Sequence, residues 1–305
     1  MIGSVAKKAL EEALGPAIAF DVPMSKHTSL RIGGPADALS LPVDRAQLRS
    51  LLQICEQYDL PHSVIGAGFN LLVEDAGISG VVINLKKIRR LEQPGEGLLF
   101  AEAGISHATL TRFCVDRGLS GLEFAAGIPG TVGGWLRMNA GIPDREQKDV
   151  IREIEIVSAN GQEESTVPIE DLDFTYRALR GLPTGAIIVS GLFQTEASSK
   201  EAVQTEVRRL LERRGQTQPL DIPSCGSVFR NPEGDHAGRL IEAVGLRGER
   251  IGGAEVSTVH ANFITNQGGA TAEDVLALIE RIRERVLKES GIALETEVCI
   301  VGRSS

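Results

Sequence analysis

Apolar residues recur at helical spacing in three stretches of the chain. A capping box, in which a Ser, Thr or Asp is followed three positions later by a residue such as Glu, Gln or Asp, opens each stretch. The three boxes are Asp44-Arg45-Ala46-Gln47, Ser198-Ser199-Lys200-Glu201 and Thr271 with Asp274. The first helix is predicted over about 44–58, and the other two are expected to stop at Gly215 and Gly291.

Segments that are rich in β-branched residues and bounded by glycine predict strands between these helices. The segments are residues 62–65, 80–85, 98–104, 150–157 and 185–193, with a last strand over 297–301. The strand over 150–157 runs into Asn160-Gly161, which is a strong hairpin signal. Ser106 is a further N-cap, and the helix that it opens is expected to stop at Gly118.

The chain changes character twice. Met1–Leu14 carries Lys and Glu among small apolar residues, so it predicts a short amphipathic helix and not a secretory signal peptide. Near 196–220 the second capped helix is followed by the extended segment Gln218–Pro223. We expect the main domain boundary in that region.

The overall composition is that of an ordinary globular protein. The chain has 305 residues, of which 42% are hydrophobic and 24% are charged, enough for roughly two domains with sizeable cores. A net charge of −9 and an aromatic content of 4% argue against a nucleic-acid-binding surface. No apolar run reaches membrane-spanning length, so neither nucleic acid nor a membrane is expected as a partner.

The cysteines favour a reducing compartment. They lie far apart, form no Cys-x-x-Cys pair and have no histidines at zinc-ligand spacing, so we predict free thiols and no metal site. The four positions are Cys55, Cys114, Cys225 and Cys299. A cytoplasmic protein is expected.

Glycine is concentrated in two places that could hold a ligand. They are Gly127-Ile128-Pro129-Gly130-Thr131-Val132-Gly133-Gly134, followed by Met138-Asn139-Ala140-Gly141, and Gly66-Ala67-Gly68-Phe69-Asn70. Glycine lets backbone approach a phosphate or a flat cofactor, but such runs also form plain connections. Leu71 stands where a dinucleotide fingerprint has its third glycine, and the chain has no P-loop pattern. The two loops could together hold one extended dinucleotide, or be two ordinary turns.

Three further positions could carry chemistry, and each also has a plainer interpretation. Arg177 offers a planar fork for a carboxylate or phosphate, or a surface salt bridge. Ser227 is outside any Gly-x-Ser-x-Gly elbow, because Phe229 takes the last glycine position; it could donate a proton or satisfy a turn. Glu295 and Glu297 open the predicted last strand on one face, where they could act in acid–base chemistry or remain solvated.

Taken in order, these pieces resemble the UDP-N-acetylenolpyruvoylglucosamine reductase family. Each piece is weak alone, but their joint order and spacing are specific and run through nearly the whole chain. The matching segments are residues 27–34, 66–73, 127–134, 138–141, 176–177, 218–219, 223–232, 237–242, 251–254, 260–263 and 295–298. The short connection between Arg177 and Gly185 resembles the members that lack an inserted tyrosine loop.

The resemblance implies an α+β fold, in which a two-lobed FAD-binding domain of the vanillyl-alcohol-oxidase type precedes a smaller C-terminal α+β substrate domain. The implied boundaries are 1–17 for an N-terminal helix, 18–196 for the FAD-binding domain, with lobes of about 18–85 and 86–196, and 197–305 for the substrate domain. It also implies an FAD enzyme that uses NADPH to reduce a UDP-N-acetylglucosamine enolpyruvyl ether to UDP-N-acetylmuramate, in peptidoglycan precursor synthesis. This small molecule is the expected partner, and a monomer is expected.

The resemblance assigns roles to matching residues. Ser227 would protonate the α-carbon, while Arg177 and Glu297 would stabilise the enolic intermediate at the substrate carboxyl group. Glu297 must then be protonated or share a proton. The implied substrate-binding residues are Tyr176, Arg230 and Asn231. The implied FAD-binding residues are Gly66, Ala67, Gly68, Asn70, Leu71, Gly127, Ile128, Pro129, Gly130, Thr131, Gly133, Gly134, Asn139, Ala140 and Gly141.

Two departures from the family pattern leave other hypotheses open. Phe69 stands where the family usually has a serine near the flavin phosphates, and Thr217 stands where many members have a lysine. The competing hypotheses are another FAD-dependent oxidoreductase that acts on a sugar or hydroxyacid, and a flavin-free nucleotide-sugar binding protein. In residues 127–134, the backbone and not the side chains is expected to contact the flavin.

Overall fold

The computed structural model describes residues 2–143 and 145–303. Its α-helices are α1 (Ser4–Leu14), α2 (Arg45–Gln57), α3 (His107–Arg117), α4 (Val132–Met138), α5 (Lys200–Thr217), α6 (Ala237–Ala243) and α7 (Ala272–Ser290). The helices predicted from capping boxes are present as α2, α5 and α7, and the predicted N-terminal helix is α1. The predicted stop of the second helix at Gly215 is wrong: α5 continues to Thr217, because Gly215 lacks the positive φ of a glycine that ends a helix. Within the described ranges, no helix has the length and apolar character needed to cross a membrane.

The strands are short and numerous. They are β1 (Ile18–Pro23), β2 (Pro35–Ser40), β3 (His62–Ile65), β4 (Leu71–Val73), β5 (Ile78–Asn84), β6 (Leu91–Gly95), β7 (Leu98–Glu102), β8 (Leu119–Ser120), β9 (Gly141–Ile142), β10 (Arg145–Glu146), β11 (Ile151–Val157), β12 (Glu164–Pro168), β13 (Asp173–Thr175), β14 (Ala178–Arg180), β15 (Ile187–Gln194), β16 (Glu196–Ala197), β17 (Ser224–Ser227), β18 (Arg250–Ile251), β19 (Ala254–Val256), β20 (Phe263–Asn266) and β21 (Cys299–Val301). The predicted hairpin joins β11 to β12, with Ile154 opposite Val167.

The chain forms two compact units whose segments alternate along the sequence. Unit 1 contains Met1–Phe20, Ala38–Ala67 and Gly80–Arg214, and unit 2 contains Asp21–Asp37, Gly68–Ser79 and Gly215–Ser305. The chain passes from unit 1 to unit 2 for the last time between Arg214 and Gly215, within the 196–220 region where the main boundary is predicted. The predicted boundaries assign residues 21–37 and 68–79 to the FAD-binding domain, whereas these segments pack in unit 2. As functional domains, 1–17, 18–196 and 197–305 stay a prediction.

The main sheet of unit 1 has the strand order β12-β11-β15-β7-β6, with antiparallel pairing throughout. The central strand β15 is buried along most of its length because strands flank it on both sides. Its Phe193 stacks on Trp135 of α4 with the ring centroids 5.4 Å apart. Burial of each such side chain stabilises the fold by about 1.5–3 kcal/mol. This aromatic pair therefore anchors α4 to the sheet.

A second sheet has the strand order β1-β2-β5-β3, in which β3 and β5 pair in parallel with His62 opposite Val81. Helices α1 and α2 pack together, and Leu10 and Leu48 share one buried cluster with Val81. At the start of α2, the Gln47 N–H donates to the Asp44 carboxylate at 2.8 Å, as the capping box predicts. The cap and the apolar face together explain why the helix begins here.

Unit 2 is built on a four-stranded antiparallel sheet of order β17-β20-β19-β18. Helices α6 and α7 share one buried core with it, which includes Leu240, Ile241, Val256, Ile264, Ile279 and Ile282. Both ends of α7 match the prediction. Thr271 and Asp274 form the reciprocal box, and Gly291 ends the helix at a φ of 72°, in the left-handed region.

The last strand is shorter than predicted. β21 begins at Cys299, which lies opposite Leu71 of the parallel strand β4. Glu297 precedes the strand, and its N–H donates to the Val228 carbonyl at 2.8 Å. The predicted strand over 297–301 is therefore wrong at its start, because the backbone there bonds to a distant loop and not to a strand ladder.

Asp75 provides a test of how α7 is anchored. Its carboxylate accepts the N–H groups of Ala272 at 3.0 Å and Glu273 at 3.1 Å, where a helix has unsatisfied donors. Replacing Asp75 with Ala should lower the free energy of unfolding by about 1–2 kcal/mol in urea denaturation. Asp221→Ala removes an exposed carboxylate of the same unit and should change it by less than about 0.5 kcal/mol. Equal effects would contradict the anchoring role.

Candidate functional site

The two glycine-rich segments meet in unit 1. A β-carbon on Gly66 would stand only 2.5 Å from Thr131 Oγ1, so no larger residue fits without a shift. The Gly66 carbonyl accepts from Asn84 Nδ2 at 3.1 Å. Gly133 lies equally close to Ala103: its N–H donates to the Ala103 carbonyl at 2.9 Å, and a β-carbon there would stand 2.9 Å from Ala103 Cβ. Glycine at these two positions is therefore required by the contact itself.

Beside this contact lies the first cleft, with a volume of about 590 Å³. Its lining includes Gly66, Leu85, Ala103, Thr131, Gly133 and Gly134. Strand β3 and the segment 179–188, which runs from the end of β14 into β15, also line it, and two arginines, Arg137 and Arg180, bring positive charge. Backbone, small side chains and arginine suit a ligand that has flat rings and phosphate groups.

The predicted FAD-binding residues are only partly brought together by this cleft. Those that line it are Gly66, Thr131, Gly133 and Gly134. Those that belong to unit 1 outside its lining are Ala67, Gly127, Ile128, Pro129, Gly130, Asn139, Ala140 and Gly141. Gly68, Asn70 and Leu71 belong to unit 2. Contact of all these residues with a flavin stays a prediction.

The segment 179–188 lines the first cleft, although the sequence does not predict it to bind a ligand. Its sequence contains Gly181, Pro183 and Gly185 just before β15. These residues indicate a loop, but a loop that lines a cleft has the same local pattern as a plain connection. Arg137, in α4, was equally unmarked by any motif.

The Asn139 side chain is fully buried and bonded to protein groups. Its Nδ2 donates to Glu146 Oε2 at 3.2 Å and to the Thr175 carbonyl at 3.1 Å, and its Oδ1 accepts the Lys148 N–H at 3.1 Å. The Asn139 amide is therefore occupied by protein groups, and the residue ends α4 with a left-handed φ of 40°.

Tyr176 and Arg177 form the turn of the β13–β14 hairpin, since Thr175 is paired with the residue that follows Arg177. Arg177 has a φ of 55°, a conformation that residues other than glycine rarely adopt. Its guanidinium lies 4.9 Å from the centre of the Tyr176 ring. Arg137 Nη1 donates to the Leu179 carbonyl at 2.6 Å, so α4 fastens the strand that leaves the turn. Arg137, which lines the first cleft, thus also holds the hairpin that carries Arg177.

In unit 2, the segment Gly68–Asn70 is tied to β17 and to Glu297. Ser29 Oγ lies 2.7 Å from the Ser224 carbonyl and 3.0 Å from the Gly68 carbonyl, which also accepts the Ser29 N–H. Asn70 Nδ2 donates to the Glu297 carbonyl at 3.1 Å. The Asn70 amide, expected to serve a flavin, therefore also positions the backbone of a predicted catalytic residue.

Ser227 and Glu297 lie on neighbouring segments of unit 2, whereas Arg177 belongs to unit 1. Ser227 ends β17, and the Glu297 N–H donates to the carbonyl of the next residue, Val228. The Ser227 hydroxyl makes no hydrogen bond within residues 2–143 and 145–303, and it faces a second cleft of about 310 Å³. Its proton is therefore available to a bound molecule.

The second cleft carries charges to which the sequence motifs assign no role. Arg239 and Arg247 line it together with His260. A hydrogen bond from Arg239 lowers the pKa of Asp235 to about 2, and Arg247 Nη2 donates to Glu242 Oε2 at 2.8 Å. Burial, with Arg247 nearby, lowers the pKa of His260. Glu242 lines the cleft as well, so the cleft is polar and carries charges of both signs.

Arg230 and Asn231, predicted to bind substrate, follow directly after β17. Arg230 Nε is buried and, among the described residues, has no hydrogen-bond acceptor. A buried cationic donor that lacks an acceptor is destabilising, and an anionic ligand would relieve it. Asn231 lines the second cleft, and its Oδ1 accepts the Ala237 N–H at 3.1 Å.

Two residues that raised questions in the sequence have clear surroundings. Cys225 is 1% exposed, and burial raises the pKa of its thiol to about 12, so it carries no reactive thiolate at neutral pH. Phe69 is 39% exposed, and its carbonyl lies 3.5 Å from the place of a β-carbon on Gly226. The family's serine is thus replaced by an apolar ring at the surface of unit 2.

Comparisons with known proteins agree with this geometry. A model of the "FAD binding domain" matches residues 36–166, and a model of the "UDP-N-acetylenolpyruvoylglucosamine reductase, C-terminal domain" matches residues 218–301. The predicted fold is confirmed: an α+β FAD-binding domain of the vanillyl-alcohol-oxidase type precedes this C-terminal domain.

Relatives match along most of their length. The UDP-N-acetylenolpyruvoylglucosamine reductase of Geotalea uraniireducens is 43% identical over 96% of this chain and 97% of its own. That of Anaeromyxobacter dehalogenans is 47% identical over 92% of this chain and 85% of its own. The crystal structure of the Thermus caldophilus enzyme has a TM-score of 0.79 at 34% identity, covering 92% of this chain and 97% of that chain. The chain therefore belongs to the UDP-N-acetylenolpyruvoylglucosamine reductase family.

Proposed function

We propose that this protein is an FAD enzyme that uses NADPH to reduce the enolpyruvyl ether of UDP-N-acetylglucosamine to UDP-N-acetylmuramate, in peptidoglycan precursor synthesis. The observation that carries the proposal is the presence, in one chain with an FAD-binding domain, of Ser227 with an unbonded hydroxyl in an arginine-lined cleft of the described structure. A simple sugar or hydroxyacid oxidase would not need the reductase C-terminal domain over 218–301.

The first cleft fits FAD. Its wall includes the backbone of Gly66, Gly133 and Gly134, and glycine backbone allows close approach of flat rings. Gly130 has a φ of 131°, which essentially only glycine adopts. Arg137 and Arg180 supply positive charge for the pyrophosphate, which can offset the missing hydroxyl at Phe69.

FAD, when bound, supplies the two-electron chemistry that links oxidation of NADPH to reduction of the enolpyruvyl double bond. The protein must then provide a proton for the α-carbon, and we assign this proton to Ser227. The strand position of Ser227 is fixed by pairing with Phe263. Phe229, two residues after Ser227, is fixed by the side chain of Asn262, which accepts the Phe229 N–H at 2.9 Å and donates to the Phe229 carbonyl at 2.8 Å. Serine is a weak acid, so this fixed position matters for proton transfer.

Arg177 and Glu297 are proposed to stabilise the negative charge that grows at the substrate carboxyl group. A guanidinium fork aimed at a carboxylate strengthens as that charge develops. Arg137 and Asn139 fasten the hairpin that carries Arg177, so its fork needs little rearrangement. Glu297 is half-buried and would share a proton with the substrate carboxyl group.

We assign the second cleft to the diphosphate of the UDP-sugar. Arg239, Arg247 and Asn231 line it, and Arg230 has a buried donor with no acceptor among the described residues. Tyr176 is 43% exposed and is proposed as a further substrate contact. Arginine recognises phosphate oxygens through paired hydrogen bonds, which fits this assignment.

We also propose that the enzyme works in the cytoplasm as a monomer whose partner is this soluble nucleotide sugar. Cys55, Cys114 and Cys225 are buried free thiols, which suit a reducing compartment. NADPH and the nucleotide sugar would be encountered in the same compartment.

The contact between Gly66 and Thr131 allows a test of the FAD site. Gly66→Ala would push a methyl group against Thr131 Oγ1, and the apo-protein should bind FAD about tenfold more weakly in a fluorescence titration. Thr131→Ala removes that oxygen and leaves a contact of 3.8 Å to Thr131 Cβ. The double variant should therefore recover most of the affinity of Thr131→Ala alone. Wild-type affinity in Gly66→Ala would contradict the assignment of this contact to the FAD site.

Ser227→Ala tests the proton donor. Flavin reduction by NADPH should stay within about twofold of wild type, because this step needs no substrate proton. Reoxidation by the enolpyruvyl substrate should slow by about 10²–10⁴-fold in stopped-flow measurements, the usual contribution of a general acid.

Ser224→Ala is the matched control, since Ser224 begins the same strand. Both half-reactions of this variant should remain close to wild type. An equal slowing of both half-reactions in Ser227→Ala would show that the serine acts on folding or flavin binding and not as the proton donor.

A further inference from the structure

His107 reaches the glycine-rich segment of unit 1 from its buried side. It is the first residue of α3 and is 4% exposed. Its ring Nδ1 lies 2.6 Å from the Ile128 carbonyl, and its backbone N–H donates to the Gly130 carbonyl at 3.2 Å. One residue therefore holds two carbonyls of the chain that leads directly into the cleft wall at 131–134.

The His107 ring acts as a neutral donor. A carbonyl oxygen can only accept a hydrogen bond, so the hydrogen must be on Nδ1. Nε2 is buried and has no hydrogen-bond partner in the described part of the chain. Burial is the main cause that lowers the pKa of His107 to about 4; the hydrogen bond to Ile128 opposes it and the positive charge of Arg214 adds to it. The ring is therefore uncharged near neutral pH, with its single N–H directed at Ile128.

Trp135 supports the same segment from the other end. Its ring meets the His107 ring edge-on with the centroids 5.1 Å apart, and its Nε1 donates to the Ala140 carbonyl at 2.7 Å. Pro129 lies between the two carbonyls that His107 holds and has no N–H of its own. Two buried side chains thus hold the parts of this segment before and after residues 132–133, whose own N–H groups donate to the carbonyls of Ile105 and Ala103.

We propose that His107 is a positioning residue for FAD: by holding the Ile128 carbonyl through Nδ1, its side chain sets the path of residues 128–130 as they enter the cleft wall at 131–134. The inference rests on the proposed function, since it takes the first cleft as the FAD site. If His107 served folding alone, its replacement would weaken FAD binding only as far as it destabilised the protein. If His107 positions the cofactor site, its replacement should weaken FAD binding by more than the loss of stability explains.

Two substitutions separate these roles. His107→Asn keeps an amide donor near the place of Nδ1, whereas His107→Phe keeps a ring against Trp135 but donates nothing. We expect the FAD dissociation constant of the apo-protein to rise about tenfold in His107→Phe and to stay within about threefold in His107→Asn. The melting temperatures of the two apo-variants should fall by similar amounts. FAD binding is followed by flavin fluorescence.

The opposite pattern overturns the inference. Wild-type FAD affinity in His107→Phe, or equal losses of affinity in both variants, would show that the Nδ1 hydrogen bond does not position the cofactor site. If His107→Phe fails to fold, His107→Gln replaces it in the test. The glutamine amide lies one bond farther from the backbone than the asparagine amide, so the His107→Gln variant should bind FAD more weakly than the His107→Asn variant. Wild-type apo-protein that binds no FAD would instead refute the proposed function, together with this inference.

Discussion

The segment from Gly127 to Gly141 brings Thr131, Gly133 and Gly134 to the wall of the first cleft, while polar groups on either side of these residues are bonded to protein. Much of unit 1 depends on this constraint. His107 and Trp135 bond to carbonyls of the segment, and Phe193 of the central strand packs against Trp135. Asn139 then uses its whole amide on protein partners, one of which lies in the hairpin that carries Arg177. The wall of the first cleft and the hairpin that carries Arg177 are therefore held by one set of contacts.

In unit 2, hydrogen bonds to backbone groups hold the segments that carry Ser227 and Glu297. The Val228 carbonyl accepts the Glu297 N–H, and the side chain of Asn262 bonds both backbone groups of Phe229. These bonds place Ser227 and Glu297 on adjoining segments although they lie far apart in sequence. Because the fixed groups are backbone, the Ser227 hydroxyl stays open to a ligand.

Local patterns predicted the parts of the structure whose causes are local. Capping residues marked the starts of α2 and α7, because the side chains that satisfy a helix end lie within a few positions of it. At α5 the hydroxyl that accepts a first-turn N–H belongs to Ser199, one position after the predicted Ser198. The contact between Gly66 and Thr131 and the lining by 179–188 depend on tertiary packing, which no local pattern reveals. The start of the last strand was mispredicted for the same reason, since Glu297 bonds to Val228. The roles of Arg177, Ser227 and Glu297 came from the family resemblance and remain proposals.

The most direct test is an anaerobic experiment on the purified wild-type protein, with the visible flavin band followed throughout. Addition of NADPH should bleach the band. Addition of the UDP-N-acetylglucosamine enolpyruvyl ether should then restore it, with UDP-N-acetylmuramate formed in proportion to the NADPH consumed. A protein without a flavin band, or one whose bleached band this ether does not restore, would contradict the account.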